Sequence, residues 1–228
     1  MKSANHEVFV TGGTGYMGRR LIEVLVSRGH TIRALTRPAS AHRLPSGCEP
    51  VHGDALHGLT YAAKIAPCDT FVHLVGVSRP GPWKARDFQR IDLASVEAAV
   101  AGAVVAGIRH FVYVSVAHPA PIMLAYVAAR MRAEEVIRAS GIPATIVRPW
   151  YVLGPGHRWP YALVPFYWVM RRIPATRESA NRLGLVTLNQ MLATLVQAVE
   201  EPSDSVHVVE VPAIRRTRTM LQTGELLR

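Results

Sequence analysis

The sequence predicts an α/β fold, a parallel sheet covered by helices on both faces. Short apolar runs rich in Val, Ile and Phe alternate along the chain with segments whose apolar residues recur at helical spacing. Three of those helical segments close on a glycine, at Gly29, Gly107 and Gly141. Strands that alternate with helices read as βαβ units, and such units lay their strands side by side in parallel. The bulk composition agrees. With 49% hydrophobic and 18% charged residues the chain is not a disordered one, and 228 residues suffice for one domain with an appendage.

Taken in order, Glu7–Thr11 is a buried strand ended by Gly12-Gly13. Gly15–Arg28 carries Met17, Leu21, Ile22, Val24 and Leu25 on one helical face. Strands follow at Thr31–Thr36 and Pro50–Gly53, a helix over about Leu56–Ala66, and a strand at Thr70–Val75. Phe88–Ala106 is a long Ala/Val helix, Ile108–Ser115 a strand, Met123–Ala139 a helix and Ala144–Arg148 a strand. After Pro149 the alternation stops. A helix near Thr187–Glu200 and a strand at Val206–Val211 rejoin the pattern, and the tail from Arg215 is basic and weakly patterned. The expected division is a core over 1–150 and a reduced substrate or lid region over 151–228, whose last helix and strand are shared with the core.

The sharpest motif is Thr11-Gly12-Gly13-Thr14-Gly15-Tyr16-Met17-Gly18, between the first strand and the first helix. Its spacing is G-x-x-G-x-x-G. Gly12 permits the tight turn, Gly15 lets a pyrophosphate approach the backbone, and Gly18 lets strand and helix pack closely. The helix then points unpaired N–H groups and the positive end of its dipole at the phosphates. The strand–turn–helix context makes this a dinucleotide loop and the fold a Rossmann-type doubly wound sheet.

The loop and several later segments resemble the atypical and extended short-chain dehydrogenase/reductases. Gly53-Asp54-Ala55 is similar to that family's segment after the third strand. Phe71–Gly76 is similar to its fourth strand, Phe111–Ser115 to its fifth, and Ser140–Pro149 to its "sGl..tIlRP" pattern. The resemblance spans about residues 7–156 and lies nearest the epimerase/dehydratase-like group, close to the NmrA-like and complex I accessory-subunit-like branches. It implies that Gly12, Thr14, Gly15, Tyr16 and Met17 hold the pyrophosphate. It further implies that Asp54 and Ala55 meet the adenine, and that Leu74, Val75, Gly76, Ser115, Pro149 and Val152 border the nicotinamide side.

The second strand ends in Ala34-Leu35-Thr36-Arg37, with no carboxylate to bind ribose hydroxyls. A guanidinium there pairs with a 2′-phosphate, so NADP(H) is the expected cofactor and NAD(H) the second option. Arg43 reads as a surface residue. Family members carry Tyr-x-x-x-Lys on one helix face, where the Tyr is the acid or base and the Lys holds the ribose. Here Tyr126-Val127-Ala128-Ala129-Arg130 stands in register, with Arg for Lys. The resemblance therefore makes Tyr126, Arg130 and Ser115 the catalytic candidates, with Arg130 also a ribose contact. The residues after Ser115 are Val116, Ala117 and His118, without the usual second hydroxyl. His73 and His118 read as hydrogen-bonded structural residues.

The leading expectation is an NADP(H)-dependent oxidoreductase acting on a carbonyl, hydroxyl or quinone-like, apolar small molecule. The alternative is a catalytically silent NADP(H)-binding sensor or assembly subunit. Residues 159–172 are aromatic and apolar, with Arg on their borders. They read as a lid over an apolar substrate, as an interfacial membrane patch, or as a helix packed on the domain or a second subunit. The net charge is +10, yet 23 of the 26 cations are Arg scattered along the chain, so no nucleic-acid partner is expected. Two cysteines and ten histidines without ligand spacing predict no metal. No apolar stretch approaches a spanning helix, and the strand at Glu7 leaves no room for a signal peptide, so a cytoplasmic monomer or homodimer is expected.

Overall fold

In a computed structural model the chain is described over residues 5–77, 80–155 and 182–217. Seven strands form one parallel sheet: β1 (Glu7–Thr11), β2 (Thr31–Thr36), β3 (Glu49–His52), β4 (Thr70–His73), β5 (His110–Val114), β6 (Ala144–Arg148) and β9 (Val206–Glu210), in the order β3-β2-β1-β4-β5-β6-β9. A separate parallel pair joins β7 (Tyr151–Leu153) to β8 (Leu185–Thr187). The helices are α1 (Tyr16–Ser27), α2 (Ala94–Val105), α3 (Leu124–Ala139), α4 (Leu188–Glu200) and α5 (Val211–Arg216). The strand order reverses between β1 and β4, which opens the ligand crevice at their carboxyl ends. Residues 156–181, which include the aromatic segment 159–172, lie outside the described residues.

Alternation along the strands builds a core on each face. Val8 and Val10 pack with Leu21, Leu25, Met191 and Leu195 of α1 and α4. Phe9, between them, faces the side of α2 and α3. In the register Phe9 pairs with Phe71 and Phe71 with Phe111, and the rings pack with centroids 5.2 and 5.0 Å apart. α4 begins with a reciprocal cap. The Thr187 hydroxyl accepts from the Gln190 N–H at 3.2 Å, and the Gln190 amide oxygen accepts from the Thr187 N–H at 2.8 Å.

Three expectations are corrected. The helix expected over about 56–66 is two short 3₁₀ turns, Gly58–Thr60 and Ala62–Lys64. Asp54 accepts the Leu56 N–H at 3.0 Å and the Thr60 hydroxyl donates to the His57 carbonyl at 2.7 Å, so side chains take the backbone groups a helix would use. Gly58 also presses against the Ala98 carbonyl, leaving no room there for a side chain. The long helix from Phe88 starts with a π turn, Phe88–Leu93, before α2 begins at Ala94. The last strand ends at Glu210, and Val211–Arg216 form α5 with Pro212 in its first turn, so Val211 is not strand and Arg215 and Arg216 are helical, while residues 218–228 lie outside the described residues.

One buried carboxylate ties β5, α3, β6 and β9 together. Glu134 on α3 is 1% exposed. It accepts from Arg148 Nε at 2.9 Å and Nη2 at 2.5 Å, from Arg138 at 3.0 Å and from the Ser115 hydroxyl at 2.6 Å. Arg148 reaches on to Glu210 at 2.8 Å, the residue beside it in the β6–β9 register. Burial alone would raise the Glu134 carboxyl, but the hydrogen bonds from Arg148 and Ser115 hold it below its ordinary 4.5. A depressed carboxylate contributes stability that is present above that ordinary value and lost as pH falls through the folded-state value. Glu134→Gln should therefore cost about 2–4 kcal/mol at neutral pH. Its urea midpoint should also fall less than the wild type's on going below pH 4.5. Equal midpoints for the two proteins at neutral pH would refute the role given to this carboxylate.

Candidate dinucleotide and catalytic site

The loop between β1 and α1 is built by close backbone approach. Gly12 has φ +76°, and a Cβ there would lie 2.7 Å from the Leu74 carbonyl carbon and 2.9 Å from the Val75 nitrogen. Only glycine meets both demands. Gly18 packs against the Gly12 carbonyl, again without space for a side chain. Gly15 differs. Its one near neighbour is the Gly12 oxygen, 3.1 Å from where a Cβ would stand, and the residue is otherwise open to the crevice. α1 starts after Gly15 with no side-chain cap and no acid in its first turn. The uncapped N-terminus and the side-chain-free cradle suit a pyrophosphate, so the residues present fit a dinucleotide.

On the adenosine side, Arg37 is exposed at the end of β2. Asp54 lies close enough that Arg37 helps hold its carboxyl below the ordinary value, after the Leu56 N–H and alongside His57. Ala55 is half-buried against the α2–α3 side of the core. Arg43, read from sequence as a surface residue, is exposed but donates to the Thr14 carbonyl at 3.3 Å, linking the turn after β2 to the phosphate loop. Tyr16 and Met17 pack on the α1–α4 core, and the Tyr16 hydroxyl fills the space a Cβ at Gly154 would need. Tyr16 thus sits against the residue that follows the strand carrying Val152. The Pro149 carbonyl accepts the Ala117 N–H at 2.8 Å, which fixes the turn leaving β6.

On the nicotinamide side, Arg130 is buried under the crevice. It pairs with Asp92 of the π turn at 2.5 Å and donates to the Val114 carbonyl at 2.9 Å and the Tyr113 hydroxyl at 3.1 Å. Its guanidinium lies 5.2 Å from the Tyr126 ring centroid and presses against Gly76, where a side chain would collide with it. Burial works against its charge, but Tyr113, Tyr126 and Asp92 keep it above the ordinary guanidinium value. Burial raises the Asp92 carboxyl in spite of Arg130 and the Val77 N–H that it accepts at 3.1 Å. The Tyr126 ring packs on Phe88, centroids 5.0 Å apart. Tyr126, Arg130 and Gly76 thus come together. Ser115 does not join them through its hydroxyl, which is committed to Glu134.

Both histidines near the crevice have protein partners. His73 bonds Thr11 at 2.8 Å and Ser95 at 3.2 Å, and burial pushes it down to about 3, so it stays neutral. His118 lies 3.4 Å from Glu134. Sequence reasoning missed Asp92 and Tyr113 as partners of Arg130. A carboxylate set directly between Ile91 and Leu93 was the available signal. Among the described residues no group of three or more His, Cys, Asp or Glu could hold a metal ion, and no helix is long and apolar enough to cross a membrane.

Known proteins resemble the chain in sequence and in fold. Residues 12–160 match the profile of an NAD(P)H-binding family. The 4-hydroxy-2-methyl-3-oxo-4-farnesyl-3,4-dihydroquinoline-1-oxide ketoreductase of Stigmatella aurantiaca is 30% identical over 168 residues, covering 64% of this chain and 50% of that protein. The ceramide reductase of Caulobacter vibrioides is 28% identical over 216 residues, covering 92% and 65% respectively. The chain thus spans about half to two-thirds of the length of these curated relatives. In fold it is similar to the Bordetella bronchiseptica enzyme WbmH in complex with NAD+, with TM-score 0.66 and 20% identity over 90% of this chain and 75% of that one. With its Gly-rich turn, its switch point between β1 and β4 and this profile match, the chain belongs to the NAD(P)H-binding family and has a Rossmann-type fold.

Proposed function

We propose that the protein is an NADP(H)-dependent oxidoreductase acting on a carbonyl or hydroxyl carbon of an apolar small molecule. The observation that carries this reading is Tyr126 stacked over the buried Arg130 beside Gly76, at the carboxyl edge of β4 and β5. When bound, the reduced nicotinamide supplies the hydride. Tyr126 holds the proton that the substrate oxygen takes, and Arg130, charged and fixed by Asp92, favours the phenolate left behind. An Arg serves here because its fork reaches Asp92, Val114 and Tyr113 at once, which a single ammonium would not reproduce. Leu74, Val75 and Gly76 line the approach to the ribose. The Ser115 proton faces Glu134, so Ser115 offers its oxygen to the site only as an acceptor. An apolar substrate is supported by relatives whose names specify a farnesyl quinoline oxide and a ceramide.

The preference for NADP(H) rests on Arg37, exposed at the end of a strand that carries no acid there. A second reading is a cofactor-binding protein without turnover. The commitment of Arg130 to Asp92 favours it, because that pairing leaves less of the guanidinium for the ribose.

Three measurements decide among these readings. Gly15→Val keeps an accessible backbone conformation, φ −79°, and meets little protein, so the variant should fold yet lose NADPH binding in a calorimetric titration. Undiminished affinity would mean the cofactor lies elsewhere. Arg37→Asp should weaken NADPH by roughly one to two decades, the worth of a charge-assisted pair, and spare NADH. A wild type that binds both nucleotides equally would sink the preference. Tyr126→Phe should keep NADPH binding while turnover on a panel of quinones, enones, aldehydes and ketones drops by roughly two to four decades. Tight NADPH binding with no turnover on any panel member would favour the silent reading.

A further inference from the structure

We infer that a rim at the mouth of the crevice, formed by Trp83, Ile122 and Leu124, docks on an anionic lipid bilayer. These three side chains are 81%, 51% and 67% exposed. They belong to two separate stretches that the topology brings to one edge. β4 and β5 are neighbours in the sheet, and the chain leaving the carboxyl end of each runs into a helical segment. Trp83 opens the segment after β4, five residues before Phe88. Leu124 opens α3, two residues before Tyr126, and the Phe88 and Tyr126 rings touch. The apolar groups therefore sit within five residues of the Phe88–Tyr126 contact, on segments that leave the same edge of the sheet.

The exposure is built into the backbone. Met123 has φ +58°, a left-handed conformation uncommon outside glycine, and this sharp turn leaves Ile122 and Leu124 exposed on either side of the half-buried Met123. The Trp83 indole lies beside Gly81, where a Cβ would stand 2.6 Å from the ring, and its other surface faces outward.

Charge complementarity selects the occupant. Residues 83–90 hold Lys84, Arg86 and Arg90 against the single acid Asp87, and Arg86 and Arg90 are exposed. The whole chain carries +10. A tryptophan flanked by cations, beside two aliphatic side chains, is the composition that enters the headgroup layer of an anionic membrane. The surface stands apart from the cofactor reading. That an apolar substrate would enter the crevice from the lipid layer is the one part that rests on it.

The test is flotation of the nucleotide-free protein with phosphatidylcholine vesicles, with and without phosphatidylglycerol. The wild type should float with the anionic vesicles and progressively less as salt is added. Trp83→Ser/Ile122→Ser/Leu124→Ser should lower the partition coefficient roughly tenfold or more, with circular dichroism unchanged. Arg86→Glu/Arg90→Glu should abolish the preference for anionic over neutral vesicles. A triple variant that floats like the wild type, or a wild type that ignores both vesicles, would overturn the inference. So would a triple variant that turns a dimer into a monomer on size exclusion without changing flotation, since a second copy would then cover the rim. Because no nucleotide is present, failure of the cofactor assignment leaves these outcomes unaffected.

Discussion

A carboxylate removed from water must be neutralised where it stands, and in this protein that requirement organises one half of the sheet. Glu134 is satisfied only if β6 delivers Arg148, α3 keeps Arg138 one turn further on, and β5 ends with the Ser115 hydroxyl facing the helix. Arg148 then needs Glu210, which pins the last strand in register. Such a network adds less net stability than its Coulomb attraction suggests, because each ion has been dehydrated. What it does supply is discrimination. A shifted register in β6 or β9 would leave a buried charge unpaired, an error far costlier than a displaced valine.

The Tyr126 side of the crevice uses the same device a few residues away. Arg130 is one helical turn before Glu134 on α3 and is met by Asp92 from the neighbouring helical segment. The π turn at Phe88–Leu93 belongs to this arrangement. It carries Phe88 against Tyr126 and Asp92 against Arg130, and π turns recur where a helix must present side chains outside the ordinary spacing. Two buried ion pairs on one helix thus serve different ends. Glu134 locks the frame, and Asp92 fixes a cation under the Tyr126 ring.

Much of the fold was legible because periodicity and turn residues agree with it. The glycines at 12, 15 and 18 announced the loop, and β1, β2 and β6 fall where their apolar runs end. The segment after β3 reads as a helix because its apolar spacing fits one, while Asp54 and Thr60 take backbone groups two and three residues away, a local competition that apolar spacing does not register. The site divides the same way. That Tyr126 and Arg130 share a face follows from their spacing of four on one helix, and the resemblance pointed to that pair. That Arg130 is spent on Asp92, and the Ser115 hydroxyl on Glu134, depends on pairs 38 and 19 residues apart that no local pattern encodes.

The short β7–β8 pair has a consequence for how such a protein can change. The two strands are parallel, so the chain that leaves β7 at Leu153 re-enters at Leu185, opposite Tyr151 and one short strand length away. An excursion whose two ends are already clasped adds little closure entropy when it is lengthened, because that cost grows only with the logarithm of its length. A change of length between the two strands would therefore cost the sheet little, while the Tyr16 hydroxyl against Gly154 keeps the end of β7 aligned with the phosphate loop. Loop length and the geometry of the Gly-rich turn are in this sense energetically separable.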